Sequence, residues 1–407
     1  MMDKSGFLAI RRSPDAGRGW SVGKLGWDGL YRMKWVITGG AGFIGCHAAA
    51  RFHQHGDHVV IVDNLSRRGA DVNLAWLRDL GVNAFIKADV RDPRQMDALM
   101  AEHGDAEAVL HLAGQVAVTS SLADPRADFE ANALGTFNVL EAVRNIANGK
   151  PAVLYSSTNK VYGNLEHVRV VERDGRYAYD DLPFGVHENE PLDFHSPYGC
   201  SKGVGDQYVR DYSRIYGMKT VVFRQSCIYG TRQFGIEDQG WVAWFCVAVV
   251  TGQPFTIFGD GKQIRDALWI GDLIDVYQRA MERIDQVSGE VINVGGGPAN
   301  TLSLLELVAK LERWFGVRLN PPFAGWRPGD QKVFVADIRK AERLLGWRPE
   351  VSIDEGVDRL IRWVKENPGL FSLKRPDLSK SIADPSIPFR PEALGGTLVP
   401  SDVARRA

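Results

Sequence analysis

The sequence predicts an α/β protein, in which a doubly wound parallel sheet is joined to a smaller C-terminal lobe. Short apolar runs alternate with helical patterns up to about residue 225, and the alternation loosens after that point. A glycine-rich segment follows the first apolar run, and an acidic residue follows each of the next two. Strands that alternate with helices form parallel sheets covered on both faces. Ligands bind such sheets beyond the carboxyl ends of the strands.

The composition excludes several classes of protein. The chain has 407 residues, enough for one large domain or two ordinary ones. Its net charge of −1, without a basic block, gives no support for nucleic-acid binding. No apolar run reaches the roughly 18 residues of a membrane span. The four cysteines are far apart, and the histidines at 53, 55 and 58 lie among Gly56 and charged residues, as at a solvated helix end. We therefore predict no disulfide framework and no metal site, and we expect a reducing cytoplasm.

The first strand, loop and helix have the pattern of a dinucleotide-binding unit. Residues 35–38 form a short apolar run, which is typical of a buried parallel strand. In the loop that follows, Gly39 allows a tight turn, Gly42 lets the backbone approach a pyrophosphate, and Gly45 permits close packing of helix on strand. A helix then continues to about residue 55, and its N-terminal N–H groups face the phosphates.

The second strand adds the acidic residue that such a unit requires. The apolar run 59–62 ends at Asp63, which lies 18 residues after Gly45. We expect Asp63 to accept hydrogen bonds from the adenosine ribose and to repel a 2′-phosphate, which favours NAD over NADP. Arg67 and Arg68 follow closely and could offset that repulsion.

Further strands are predicted at 84–86, 108–112, 152–158 and 220–224, with helical patterns between them, notably at 128–144. Asp89, the pair Ala113–Gly114 and Thr158 follow or end three of these strands. Because parallel strands end at one edge of the sheet, these residues and Asp63 are expected to line a single crevice.

A tyrosine and a lysine begin the helix that precedes the strand at 220–224. Pro197 fits the first turn of a helix, and Tyr198 and Lys202 are then four residues apart on one face. A free tyrosine ionises near pH ~10, so a lysine cation beside it would favour the phenolate needed in a general base. An ordinary helix is the alternative, and the glycine loop upstream favours the catalytic interpretation.

The remaining segments are assigned from their patterns. Residues 241–250 predict a buried helix, 255–261 a strand and turn, and 292–296 the end of another strand. All three are placed in the second lobe. Residues 302–315 predict an amphipathic helix with Leu304, Leu305, Val308 and Leu311 on its apolar face.

Four segments are therefore expected along the chain. Residues 1–32 are interpreted as a disordered extension before a native start at Met33. Residues 34–225 form mainly the dinucleotide-binding domain, and 226–365 mainly the substrate lobe, with some exchange of chain between them. Residues 366–407, which contain six prolines, are expected to form an extended tail. A polar and aromatic insertion at 164–190 lies just before the helix of Tyr198 and is expected to contribute to substrate discrimination.

A resemblance extends these inferences over about residues 34–365. The chain resembles the extended short-chain dehydrogenase/reductases in their nucleotide-sugar epimerase/dehydratase branch. The matching motifs are Gly39-x-x-Gly42-x-x-Gly45, Asp63-Asn64, Asp89-Val90, His111-Leu112-Ala113-Gly114, Asn132 with Gly135-Thr136, Ser157-Thr158, Tyr198-x-x-x-Lys202, Arg265-Asp266 and Arg327-Pro328-Gly329-Asp330. The resemblance implies a Rossmann-type fold, bound NAD, a nucleotide-sugar substrate and a homo-oligomer.

The same resemblance implies roles for individual residues. The catalytic residues are Thr158, Tyr198 and Lys202. The residues that bind the cofactor are Gly39, Gly42, Phe43, Ile44, Gly45, Asp63, Asn64, Ser66, Arg67, Asp89, Val90, Leu112, Ala113, Gly114, Gln115, Asn132, Tyr198 and Lys202. The residues that bind the substrate are Thr158, Asn159, Lys160, Gln233, Arg265 and Arg327, of which the two arginines grip the diphosphate.

Two stretches are similar to one branch, the CDP-tyvelose (CDP-paratose) 2-epimerases, which serve polysaccharide biosynthesis. These stretches are 156–163 and 193–202, and segments 232–235 and 238–242 resemble the same branch. Dehydratases of the superfamily carry an Asp-Glu pair after the threonine, where this chain has Asn159 and Lys160, so dehydration is disfavoured. A UDP-hexose 4-epimerase, a nucleotide-sugar reductase and a non-catalytic NAD-binding protein stay open as alternatives.

Overall fold

The computed structural model describes residues 33–146, 151–327 and 329–371. The predicted extension at 1–32 and residues 372–407 of the predicted tail lie outside these ranges. The strands are β1 (Lys34–Thr38), β2 (His58–Asp63), β3 (Phe85–Lys87), β4 (Ala108–His111), β5 (Ala152–Thr158), β6 (Val170–Arg173), β7 (Arg176–Tyr179), β8 (Thr220–Gln225), β9 (Cys227–Tyr229), β10 (Ile257–Phe258), β11 (Ile264–Trp269), β12 (Val291–Val294), β13 (Thr301–Ser303), β14 (Phe323–Ala324) and β15 (Val333–Phe334). The helices are α1 (Phe43–Gln54), α2 (Ala70–Asp79), α3 (Pro93–His103), α4 (Val118–Ala123), α5 (Pro125–Phe129), α6 (Gly135–Arg144), α7 (Ser196–Tyr216), α8 (Trp241–Thr251), α9 (Ile270–Glu282), α10 (Ile284–Val287), α11 (Leu304–Phe315), α12 (Arg339–Leu345) and α13 (Ile353–Glu366).

Seven parallel strands form the main sheet, in the order β12-β8-β5-β4-β1-β2-β3. Alternate residues of each strand enter two separate cores. Ile37 and Ile61 pack with α1 and α2 on one face, whereas Val36 and Val60 pack with α3, α6 and α7 on the other. Burial on both faces explains why these strands are continuous apolar runs in the sequence. The predicted doubly wound sheet is confirmed.

The last strand of this sheet comes from late in the chain. The structure pairs β12 with β8 in parallel, with Val291 opposite Val222. The sequence analysis placed this strand in the second lobe, and that assignment was wrong. An apolar run shows that a strand is buried but does not identify its partner, so local pattern could not place it.

The smaller lobe is built around β11. This strand pairs antiparallel with β13 and parallel with β15 and β9. Helix α11 begins with a capping box formed by Ser303 and Glu306, and it buries Leu307, Val308 and Leu311. Leu305 is instead 37% exposed, so its predicted place on the buried face was wrong.

Two predicted segments differ in detail. The helical pattern at 128–144 is divided between α5 and α6 by a short π-helical stretch, Glu130–Leu134. The predicted tail begins later than residue 366, because Pro368–Phe371 forms a 3₁₀ turn whose Phe371 is buried against Phe234 and Trp363. No helix within the described ranges is long and apolar enough to cross a membrane.

The insertion at 164–190 contains the hairpin β6–β7, which packs against the smaller lobe. The Tyr177 hydroxyl donates to Asp260 Oδ2 at 2.6 Å, the Tyr179 hydroxyl donates to the Val333 carbonyl at 2.9 Å, and Arg176 donates to Thr301 Oγ1 at 2.9 Å. No residue of the insertion lines the cavity described below. The structure therefore places the insertion against the smaller lobe and outside the cavity lining, and its part in discriminating between sugars stays a prediction.

Candidate active site

Helix α7 brings Tyr198 and Lys202 into one cavity. Proline lies in its first turn, as predicted, and the Tyr198 backbone N–H donates to Ser121 Oγ at 3.1 Å. Both side chains are buried and both line the cavity, together with Thr158 at the end of β5. The three residues predicted to be catalytic therefore meet, although β5 and α7 are separated by about 40 residues of chain.

The Tyr198 side chain does not have the lowered pKa that was expected. Burial raises the pKa of Tyr198 to about 12, and a hydrogen bond with Thr158 and the charge of Arg67 only partly oppose this rise. Desolvation of the phenolate therefore outweighs the cations that the protein itself places nearby. The expectation that a lysine neighbour alone would favour the phenolate was wrong.

Lys202 contacts strand β5 instead. Its Nζ donates to the Ser156 carbonyl at 2.6 Å and lies 4.3 Å from the centre of the Tyr155 ring. Burial lowers the pKa of Lys202 to about 7, against the opposing charges of Asp206 and Asp128. The side chain is thus a buried amine held beside the strand end that carries Thr158.

The glycine loop forms a cradle that side chains would fill. Gly39 has a φ of +70°, and a Cβ there would lie 2.7 Å from the Ala113 nitrogen. A Cβ on Gly45 would lie 2.3 Å from the Gly39 carbonyl oxygen. The start of α1 has no side-chain cap and no acidic residue in its first turn. Uncapped N–H groups at a helix N-terminus suit a pyrophosphate, so these residues fit a dinucleotide.

The two acidic residues at strand ends have different surroundings. Asp63 is 8% exposed and accepts from the N–H groups of Leu65 at 2.7 Å and Ala41 at 3.1 Å. Burial raises its pKa, and these hydrogen bonds oppose the rise. Hydrogen bonds from Arg91 instead hold the pKa of Asp89 well below its usual range, and Asn64 also donates to Asp89 at 3.0 Å.

One cavity of about 700 Å³ contains nearly all of the predicted site residues, a size typical of ligand-binding clefts. Of the predicted catalytic, cofactor and substrate residues, all line it except Asn132. Asn132 is 1% exposed and lies behind the wall, where its Oδ1 accepts from the Gln115 N–H at 2.9 Å. Its predicted direct contact with the cofactor is therefore corrected to support of the loop at Gln115.

The smaller lobe supplies the far end of the cavity. Arg265 and Arg327 both line it, and Arg327 lies 3.6 Å from the centre of the Phe258 ring. Lys160 connects the two lobes, because its Nζ donates to the Gly329 carbonyl at 2.9 Å and to Gln331 Oε1 at 3.3 Å. Burial lowers the pKa of Lys160 to about 7. The two guanidinium groups at this end are suited to binding an anionic ligand.

Sequence reasoning missed a buried network behind the catalytic residues. Arg224 on β8 donates to both carboxylate oxygens of Asp206, each at 2.9 Å, and Ser157 Oγ donates to Asp206 at 2.7 Å. Asp206 lies one helical turn after Lys202, and that spacing was the signal available in the sequence. The network fixes α7 against the strand end that precedes Thr158.

A second missed group supports the N-terminal half of α7. Ser201 Oγ donates to the Asp128 carboxylate, and Asn132 Nδ2 donates to Asp128 at 3.1 Å. Phe258 and Gln263 also line the cavity without having been predicted, as does the turn at 237–239, whose Glu237 and Asp238 were interpreted as loop residues that position the substrate or support the structure. Their strand and loop had been assigned to the substrate lobe, but a side chain's direction is not readable from such short segments.

Fold and site define a dinucleotide-binding protein whose buried tyrosine and lysine share a cavity with the glycine loop. The model of the NAD dependent epimerase/dehydratase family matches residues 35–295. The chain belongs to that family, and its cofactor is NAD. Within the described part of the chain, no group of His, Cys, Asp and Glu is arranged to hold a metal ion.

Individual relatives give the same result. The chain is 46% identical over 336 residues to the CDP-paratose 2-epimerase of Salmonella typhi, which covers 81% of this chain and 99% of that one. It is 34% identical to a putative UDP-glucose 4-epimerase of Methanocaldococcus jannaschii, over 82% of this chain and 98% of that one. The crystal structure of UDP-glucose 4-epimerase from Thermotoga maritima, with UDP-glucose, matches with a TM-score of 0.70 and 30% identity, covering 82% and 99%.

Asp63→Asn is expected to reduce the preference for NAD over NADP by about 10-fold, because hydrogen bonds to a charged carboxylate contribute about 1.5–3 kcal/mol and its repulsion of a 2′-phosphate is lost. The Leu65 and Ala41 N–H groups donate to different oxygens of Asp63, so the single oxygen of asparagine keeps only one of these bonds. Circular dichroism of the variant checks that its fold is unchanged. Dissociation constants for both dinucleotides measure the effect. Asp71→Asn, which removes an exposed carboxylate from α2, is the control. Identical selectivity in all three proteins would count against the ribose contact.

Proposed function

We propose that this protein is an NAD-dependent nucleotide-sugar 2-epimerase that interconverts CDP-paratose and CDP-tyvelose by transient oxidation at C2. The observation that carries the proposal is the 46% identity to a CDP-paratose 2-epimerase across 99% of that relative. The meeting of Thr158, Tyr198 and Lys202 in one cavity supports it, because a binding module has no need of all three. The nucleotide sugars of this branch serve polysaccharide biosynthesis, which is the role we propose here.

In this proposal Tyr198 moves the proton. It takes the proton from the C2 hydroxyl as that carbon is oxidised, and it returns a proton when the ketone is reduced on its opposite face. Thr158 orients the oxygen, and Lys202 holds the nicotinamide ribose. NAD, when bound, would supply a positively charged ring, which favours the phenolate, and the capacity for reversible hydride transfer. The sugar is epimerised without net oxidation.

The glycine loop and strand ends would hold the cofactor. Gly39, Gly42 and Gly45 leave room for the pyrophosphate, and Asp63 would bind the adenosine ribose. At the other end, Arg265 and Arg327 would bind the substrate diphosphate, for which a planar guanidinium is well suited. Asn159, Lys160 and Gln233 would contact the sugar nucleotide between these ends.

The two residues that follow Thr158 argue against a dehydratase. Water elimination needs an acid and a base beside the sugar, and Asn159 and Lys160 are not carboxylic acids. A UDP-hexose 4-epimerase is the second candidate, because the relative from Methanocaldococcus jannaschii bears that description at 34% identity. Its lower identity makes it the weaker candidate.

We further propose a homo-oligomer of this chain in the cytoplasm. Phe129, Phe137, Tyr208 and Ile215 are each between 38% and 66% exposed on α5, α6 and α7. Phe137 and Tyr208 form an edge-to-face pair with centroids 5.8 Å apart, so part of this surface is a continuous apolar patch. The four cysteines are free, as in a reducing compartment. Light scattering during size-exclusion chromatography tests the assembly, and a purely monomeric protein would contradict it.

Proton NMR with sugar nucleotides deuterated at C2 tests the reaction itself. The purified protein is incubated with CDP-, UDP-, GDP- and dTDP-hexoses without added cofactor. We expect inversion at C2 of a CDP-hexose with the deuterium retained, because the same hydride is removed and returned. Inversion at C4 would instead identify a 4-epimerase, the second candidate. A reaction that requires added NAD(P)H would identify a reductase.

A further inference from the structure

The segment 231–240, which we call the strap, connects the two ends of the cavity. Its tip is a tight turn in which Ile236 and Gln239 exchange two backbone hydrogen bonds of 3.0 Å, with Glu237 and Asp238 between them. Gln239 accepts a hydrogen bond from Arg67 on the dinucleotide side. The other side of the tip contacts the smaller lobe, so the strap is held from both sides.

On the side of the smaller lobe, the strap binds the guanidinium of Arg327 through a hydrogen bond and an ion pair. Arg327 Nη1 donates to the Glu237 carbonyl at 3.0 Å, and Nη2 lies 3.2 Å from Asp238 Oδ1. One face of the guanidinium is covered by the Phe258 ring at 3.6 Å. The Arg327 side chain is 20% exposed and that of Asp238 is 47% exposed. Two edges and one face of the guanidinium are therefore engaged within the protein.

A carboxylate and a phosphate compete for the same donors of a guanidinium, because each presents a pair of anionic oxygens that can accept two parallel N–H bonds. Arg327 lines the cavity, and under the proposed function it binds the diphosphate of the substrate. Asp238 lines the same cavity, so the diphosphate and the Asp238 carboxylate meet at one cation.

We propose that Asp238 sets the affinity for the substrate by competing with its diphosphate for Arg327. In the free protein the Asp238 carboxylate occupies Arg327, and the incoming nucleoside diphosphate displaces it. This inference rests on the proposed function only in assigning a nucleoside diphosphate to the cavity. The opposite role, in which Asp238 merely holds Arg327 ready for the substrate, predicts the opposite effect of its removal.

Calorimetric titration of the NAD-loaded protein with CDP and with UDP distinguishes these roles. For Asp238→Asn we expect binding of the tighter nucleotide to strengthen by about 2- to 5-fold, the size of effect associated with a partly exposed ion pair. Weaker or unchanged binding would overturn the inference. The exposed position of Asp238 in a surface turn means that the variant should fold.

Two variants serve as controls. Asp181→Asn removes an exposed carboxylate that lies outside the cavity lining. Its effect on the dissociation constant should stay below about 1.5-fold, because exposed charges far from the cavity are screened. In an Arg327→Met background, Asp238→Asn should no longer strengthen binding. A gain of equal size in Asp181→Asn, or in the Arg327→Met background, would overturn the proposal.

The two nucleotides keep the inference separate from the proposed function. If the wild-type protein binds UDP and not CDP, the CDP-sugar assignment fails, while the effect of Asp238→Asn on UDP still decides the competition. If it binds neither nucleotide, both the proposed function and the inference are overturned.

Discussion

Tyr198→Phe is expected to lower turnover about 10³-fold while NAD stays bound, since a positioned general base contributes about 10²- to 10⁴-fold. Phenylalanine keeps the buried ring and the backbone hydrogen bond to Ser121, so the position of α7 should not change. What is lost is the hydroxyl that lines the cavity next to Thr158. Turnover is measured with the nucleotide sugar identified by NMR, and bound NAD is measured by its release on denaturation.

Tyr216→Phe is the matched control for this experiment. Tyr216 ends the same helix but is 49% exposed, with its ring against Arg144 and outside the cavity. The control should keep wild-type turnover. If Tyr198→Phe retained more than about a tenth of the activity, the general-base assignment would be refuted.

Arg224→Met is expected to lower the free energy of unfolding by about 3–5 kcal/mol, because it leaves the Asp206 carboxylate buried without its partner. The side chains of Arg224 and Asp206 are 3% and 0% exposed, and two hydrogen bonds of 2.9 Å join them. Urea unfolding followed by circular dichroism measures the loss. We also expect lower turnover in the folded variant, since Asp206 accepts the hydrogen bond from Ser157 beside Thr158.

Two further variants separate ion pairing from loss of packing. Arg359→Met breaks the exposed pair with Glu355 on α13 and should cost less than about 1 kcal/mol. The double variant Asp206→Leu with Arg224→Met should be more stable than Arg224→Met alone, because no uncompensated charge is left in the interior. A loss in Arg224→Met no larger than that in Arg359→Met would show that the buried pair does not stabilise the fold.

The parts of the fold that were predicted correctly are those encoded by neighbouring residues. The strand, glycine loop, helix and Asp63 follow one another in the chain, and each constrains a backbone conformation that only certain residues adopt. Tyr198 and Lys202 share a face because helical spacing alone decides it. The structure therefore places these residues in one cavity, as predicted.

The predictions that were wrong concern properties that depend on residues distant in the chain. The pKa of Tyr198 is determined by how deeply neighbouring elements bury it, which helical spacing does not reveal. Asn132 belongs to a family motif, but its side chain is hydrogen-bonded to Gln115 and Asp128 and does not line the cavity. The pair of Asp206 and Arg224 could not be recognised because one residue is on a helix and the other on a strand, 18 positions apart.

The position of β12 has a consequence for how the chain folds as it is synthesised. Residues 291–294 complete the edge of the main sheet beside β8, but about 65 residues of the smaller lobe precede them. A nascent chain that has emerged only to residue 225 would therefore expose β8 as an unpaired strand edge, which is a template for aggregation. Most of the smaller lobe must therefore be synthesised before β12 can complete the main sheet. We therefore expect an isolated 33–225 fragment to aggregate, and the two lobes to fold as one cooperative unit.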